Sequence, residues 1–160
     1  MIPIIRTVAQ PNKKTFSIPP IEKLINKYKQ GIASSFGEIV EPFPHPFKED
    51  ALEYLRNIEN EFADLVLLDP PYSQRQLKEA YENIGGFHYQ MNNSYWSKIN
   101  NECWRILKPY GVCIKFGWNS SKINPMAEII DGMMVCHGSM HNDTIVTVQQ
   151  KVNQTLDLQV

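Results

Sequence analysis

Apolar residues recur along this chain with two different periods, and the changes of period mark its elements. Ile21, Leu24, Ile25 and Tyr28 fall at i, i+3, i+4 and i+7, the stripe of an amphipathic helix. Pro19 and Pro20 suit its first turn, and Gly31 follows as a stop. A short connection over Ala33–Gly37 leads to a strand at Glu38–Glu41 that Pro42 ends. Phe47, Ala51, Leu52, Leu55 and Ile58 predict a second helix, and Ala63–Asp69 a central strand. Ser73 to Gln76 reads as a capping box that opens a third helix towards Ile84. Trp96, Ile99, Cys103, Ile106 and Leu107 predict a long helix stopped by Pro109 and Gly111. Val112–Phe116 is then a strand, Pro125–Ile130 a short helix, and Met133–Cys136 and Thr144–Val148 two strands. A turn over Gly138–Asn142 makes that last pair antiparallel, whereas residues 1–17 read as irregular. Helix and strand alternate, so the expected class is α/β with a mostly parallel sheet and an antiparallel C-terminal hairpin.

The strand at Ala63–Asp69 ends in a way that suggests chemistry. Leu65–Leu68 is the apolar run of a buried parallel strand, and Pro70 and Pro71 cannot continue a ladder because they have no N–H to donate. Ligands of open α/β sheets bind at the carboxyl ends of strands, so Asp69 and Tyr72 are expected at the rim of a crevice. The exocyclic nitrogen of adenine is a weak nucleophile because its lone pair is delocalised into the ring. Acceptors that draw its N–H bonds towards tetrahedral geometry counter this. The Asp69 carboxylate and the stiffly held Pro70 carbonyl are such a pair. Tyr72 offers a face for the base, and such stacking is worth roughly 1–3 kcal/mol. The plainer account is a proline turn that caps a buried strand.

Composition narrows the partners. The chain has 160 residues, enough for one domain with helices on both sheet faces but not for a separate target-recognition domain. With 16 Lys+Arg against 17 Asp+Glu there is no global cationic field, so any hold on phosphates must be local. Lys13, Lys14, Arg75 and Lys78 are candidates for it, and each also fits ordinary solvated charge. The stretch between Tyr81 and Tyr95 is polar and aromatic with two glycines. It is either a target-contacting loop that uses His88, Tyr89 and Asn92 or a plain surface connection. Cys103, Cys113 and Cys136 lack the spacing of a disulfide framework or zinc site and read as buried thiols, and His137 and His141 read as part of a turn. There is no secretory signal, no apolar stretch of membrane-spanning length and no repeat, so a cytoplasmic protein is expected.

The Asp69-Pro-Pro-Tyr72 segment resembles the motif of S-adenosylmethionine-dependent N6-adenine DNA methyltransferases, in particular a compact subgroup associated with phages and prophages. Thr15–Ile21, Glu38–Phe43, Asp50–Leu55, Leu107–Gly111, Phe116–Ser120 and His141–Ile145 are similar to further stretches of that family, in its order, and together span most of residues 13–150. The resemblance implies a Rossmann-like sheet and a metal-free methyl transfer to DNA, with Asp69, Pro70, Pro71 and Tyr72 as the catalytic segment. It implies cofactor contacts from Thr15, Phe16, Ser17, Glu41, Phe43, Asp50, Ala51 and Asp69. Tyr72, Arg75, Lys78, His88, Tyr89 and Asn92 are the substrate-side residues it suggests.

The chain departs from the family between Glu41 and Asp50, where three prolines occupy a stretch too short for a helix, a strand and their turns. One strand–helix unit of the cofactor region is therefore expected to be missing. Either the cofactor site is rebuilt from Phe16, Glu41, Asp50 and the Asp69 strand end, or a homodimer or hetero-partner completes it, or the chain is an impaired methyltransferase-like subunit that binds nucleic acid or supports an active partner. Without an acid for the ribose, cofactor affinity is expected to fall more than tenfold.

Overall fold

Residues 5–9, 15–31, 37–42, 50–71, 93–138 and 142–152 are described by a computed structural model. Strand β3 (Ala63–Leu68) is almost wholly buried, as its apolar run requires. Around it, in spatial order, lie β1 (Ile5–Val8), β5 (Ala127–Cys136), β6 (Thr144–Lys151), β4 (Leu107–Gly117), β3 itself and β2 (Ile39–Val40). The β1–β5, β2–β3 and β3–β4 pairings are parallel, and β6 runs antiparallel to both β4 and β5. The sheet is therefore mixed α/β with the antiparallel C-terminal hairpin that the sequence predicts.

Helices cover both faces because side chains of a strand alternate between them. Val66, Leu68 and Cys113 face α2 (Ala51–Arg56) and α3 (Asn93–Ile106), with Leu52, Leu55, Ile99, Cys103 and Ile106 in the same cluster. Leu65, Leu67, Ile114 and Phe116 face the other way, onto Ile21, Leu24 and Ile25 of α1 (Pro19–Gly31). Burying each such side chain contributes about 1.5–3 kcal/mol.

Asp64 binds β3 to both neighbouring strands. Its Oδ2 accepts from the Glu38 backbone N–H at 3.0 Å ahead of β2, and from Lys108 Nζ at 2.8 Å on β4. On the other face, Lys27 and Tyr28 of α1 donate to Asp131 Oδ2 on β5, at 2.6 and 3.0 Å. Lys151 Nζ donates to the carbonyl of Trp104 in the last turn of α3 and to that of Leu107 at the start of β4.

Three expectations are corrected. Residues 5–8, read as irregular, form β1 through pairing with Met133–Cys136. The segment Pro125–Ile130 is no helix: a turn at Pro125–Met126 opens β5, and the spacing of Met126, Ile129 and Ile130 that imitates a helix is overruled by the ladder with β6. The long helix ends at Ile106, and Leu107 already pairs with Ala63 in β4. Because Leu65 next faces Val112, the stretch Lys108–Gly111 bulges out, with Tyr110 at φ 63°.

Candidate active site

The parallel strands β2, β3 and β4 bring their carboxyl ends to one rim of the sheet. Glu41 and Pro42 follow β2 there, and Asp69, Pro70 and Pro71 follow β3. On β4, Lys115 sits opposite Leu68, so Phe116 lies one residue beyond that pair, beside the Asp69 end of β3. A cleft of about 290 Å³ opens at this rim, between Pro70 and Pro71 on one side, Trp96, Ile99 and Asn100 of α3, and Lys115–Asn119 with Ser121 at and beyond the end of β4. Its size lies at the lower end of ligand-binding cavities, roughly 300–1,000 Å³.

Tertiary contacts bring several of the sequence-predicted residues to this rim. Thr15–Ser17 is a single 3₁₀ turn ahead of α1, closed by the Ile18 N–H donating to the Thr15 carbonyl. It places the Phe16 ring 5.3 Å from that of Phe116, tilted by 48°, so the N-terminal segment meets the strand end that lines the cleft. Asp50 is the N-cap of α2, its Oδ1 accepting from the N–H groups of Leu52 and Glu53, both at 3.1 Å. Its Oδ2 accepts from Tyr95 Oη at 3.1 Å. Tyr95 in turn packs edge-on to Trp96, centroids 5.1 Å apart, and Trp96 lines the cleft. A carboxylate has about four acceptor sites, so these three donors leave Asp50 little further capacity. Ala51 is buried as the first residue of α2. Phe43, Tyr72, Arg75, Lys78, His88, Tyr89 and Asn92 lie outside the described residues, as do Lys13, Lys14 and the capping box at Ser73–Gln76.

The end of β4 and the residues that follow it carry groups that the sequence reading did not assign. Phe116 is fully buried, but Trp118, two residues on, is 65% exposed at the cleft. Half-buried Lys115 donates from Nζ to Ser121 Oγ at 2.7 Å and to the Ser121 carbonyl at 3.2 Å. Burial pulls its ammonium below the ordinary lysine range, against smaller opposing effects from Cys113 and Cys103. The signal for these residues was present in the sequence: the rule that places Asp69 at a strand end applies equally to Lys115–Asn119 at the carboxyl end of the next parallel strand.

The remaining polar groups nearby serve the fold. His137 Nδ1 lies 3.0 Å from the Ala9 carbonyl and its Nε2 3.0 Å from Thr144 Oγ1, which fixes the ring between β1 and β6. All three cysteines are buried free thiols. Desolvation pushes the Cys113 thiol up to about 12 and Cys103 well above the usual range. Among the described residues, no group of three or more His, Cys, Asp or Glu side chains could hold a metal ion, and no helix is long and apolar enough to cross a membrane.

No protein-family model matches this sequence. A search of curated proteins gives no match either. Among solved structures, the chain is similar to a candidate DNA modification methylase from Thermus thermophilus, with 14% identity and a TM-score of 0.43 over 74% of this chain and 55% of that one. The selenomethionine form of the same protein gives 14% identity and 0.42, over 74% and 54%. A candidate methyltransferase, YhhF, from Escherichia coli gives 9% identity and 0.39, over 94% and 64%. The chain thus spans little more than half of the Thermus protein and under two-thirds of the other.

Proposed function

We propose that this protein transfers a methyl group from S-adenosylmethionine to the N6 amino group of adenine in DNA. One observation carries the reading: the Asp69-Pro70-Pro71 segment stands at the carboxyl end of the buried strand β3, and both prolines line a cleft there. A structural proline turn would not require an acid and an aromatic on either side of it.

In this mechanism the target adenine leaves the base stack and lies against Tyr72. Asp69 and the Pro70 carbonyl accept its two amino hydrogens and aim the nitrogen lone pair into the cleft. S-adenosylmethionine, when bound, supplies the electrophilic methyl group. Of the residues about the rim, Thr15 and Ser17 would offer hydroxyls for its carboxylate, Glu41 and Asp69 would accept from its amino group, and Phe16 beside Phe116 would give an apolar surface. Asp50 contributes mainly by fixing Tyr95 and the start of α2.

The test is incubation with methyl-labelled cofactor and unmodified DNA, followed by nucleoside analysis. Label in N6-methyladenine is expected, and Asp69→Ala should abolish it while leaving the circular-dichroism spectrum unchanged. Label in cytosine, or an unaffected Asp69→Ala rate, would overturn the reading. A second reading, an impaired subunit that needs a partner, draws on the brevity of β2 at 2 residues and α2 at 6, the elements that flank the shortened stretch. It predicts labelling only after a second protein is added.

A further inference from the structure

Trp118 and Lys115 line the cleft, and the preceding mechanism uses neither. The Trp118 indole is 65% exposed at the cleft, two residues beyond the fully buried Phe116. Lys115 has three N–H donors. Two are directed at Ser121, and both of those acceptors are neutral. Among the described residues no carboxylate forms an ion pair with this half-buried ammonium. A cation drawn partly out of water is best compensated by an anion, and Lys115 is one of the residues that line the cleft. Asn100 and Asn119 add carboxamides to the same lining. An aromatic face, an ammonium and amides around one groove are the groups with which proteins hold unpaired nucleic acid strands.

We propose that the cleft wall formed by residues 115–121 is a single-strand nucleotide-binding surface, in which the Trp118 indole stacks on an unpaired base and the Lys115 ammonium donates to a phosphate oxygen of the same strand. The inference deepens the methyl-transfer reading, because an everted adenine next to Asp69 places its own strand along this wall.

The experiment is cofactor-free fluorescence anisotropy of the full chain with a fluorescein-labelled single-stranded oligonucleotide over a range of salt concentrations. Omitting the cofactor removes its carboxylate as a competing ligand for Lys115. Trp118→Ala should weaken binding roughly 5- to 100-fold without changing the salt slope, and Trp118→Phe should keep most of the affinity. Lys115→Gln should lower the slope of log affinity against log salt by about 0.7, the value for one phosphate contact on a single strand, and Lys115→Arg should restore it. A Lys115 that only staples the loop through Ser121 would give weaker binding with an unchanged slope, and that result overturns the proposal. So does wild-type affinity in Trp118→Ala, or absence of saturable binding by the wild-type protein. Oligonucleotide binding that behaves as expected without any N6-methyladenine would remove the methyl-transfer reading and leave this one standing.

Discussion

Gln149 and Lys115 converge on one atom: Gln149 Nε2 donates to the Ser121 carbonyl at 3.1 Å, and Lys115 Nζ donates to the same oxygen at 3.2 Å. Gln149 is fully buried on β6, its Oε1 accepts from the Ile123 N–H at 2.8 Å, and its Nε2 also donates to Thr147 Oγ1 at 2.9 Å. The sheet interior thereby anchors the loop that forms one wall of the cleft.

Gln149→Leu should therefore act on stability and on the site together. It leaves the buried Ile123 N–H without its acceptor, at a cost of about 1–3 kcal/mol, with a further ~1 kcal/mol from the lost donor bonds. A lower urea midpoint with an unchanged slope is expected, together with weaker oligonucleotide binding. An unchanged midpoint would show that the loop does not depend on this side chain.

Gly111→Ala tests the bulge of β4. A Cβ there would meet the Lys108 carbonyl at 2.8 Å, the Ala63 carbonyl at 3.1 Å and Leu107 Cδ2 at 3.2 Å. Two of these three neighbours are backbone and cannot rotate away. A loss of about 1–3 kcal/mol is expected in denaturant unfolding, as for other overpacked interiors.

Acid should destabilise the fold through Asp64 and Asp131. Partial burial works to raise both carboxyls, but hydrogen bonds from Lys108 and Glu38 hold Asp64 below the usual carboxylate range, and those from Lys27, Gly132 and Tyr28 do the same for Asp131. A carboxyl with a folded-state pKa below its unfolded value gives stability that is complete above the unfolded value, about 3.9, and is lost as pH falls through the folded one. Stability is thus expected to decline below about pH 4. Asp131→Asn should flatten that part of the profile, and a pH titration of the thermal midpoint in both proteins checks it.

Cys103 and Cys113 should resist alkylation in the native protein. Both are fully buried and held as thiols by desolvation, while the thiolate is the reactive species. Mass spectrometry after iodoacetamide treatment should find these two modified only in urea. Native labelling at either would show that the α3–β4 interface opens.

Much of the fold follows from local pattern. The 3.6-residue stripe of α1, the apolar run of β3 and its stop at Pro70 need only near neighbours in the chain, and they occur where the sequence places them. Segments whose conformation is set by distant partners are misread from local pattern. Residues 5–8 are mostly exposed and carry no alternation, so only the ladder to β5 makes them a strand. Met126–Ile130 has helical spacing, but its backbone groups are committed to β6, more than a dozen residues away.

The sequence by itself determined that an acid and two prolines end a buried strand, because proline's missing N–H and an unbroken apolar run act on adjacent residues. Tertiary structure alone decided what shares that rim. Phe16 meets Phe116, Asp50 caps α2 and holds Tyr95, and Lys115 stands opposite Leu68 because parallel pairing aligns strand ends far apart in the chain, a relation that no local spacing encodes.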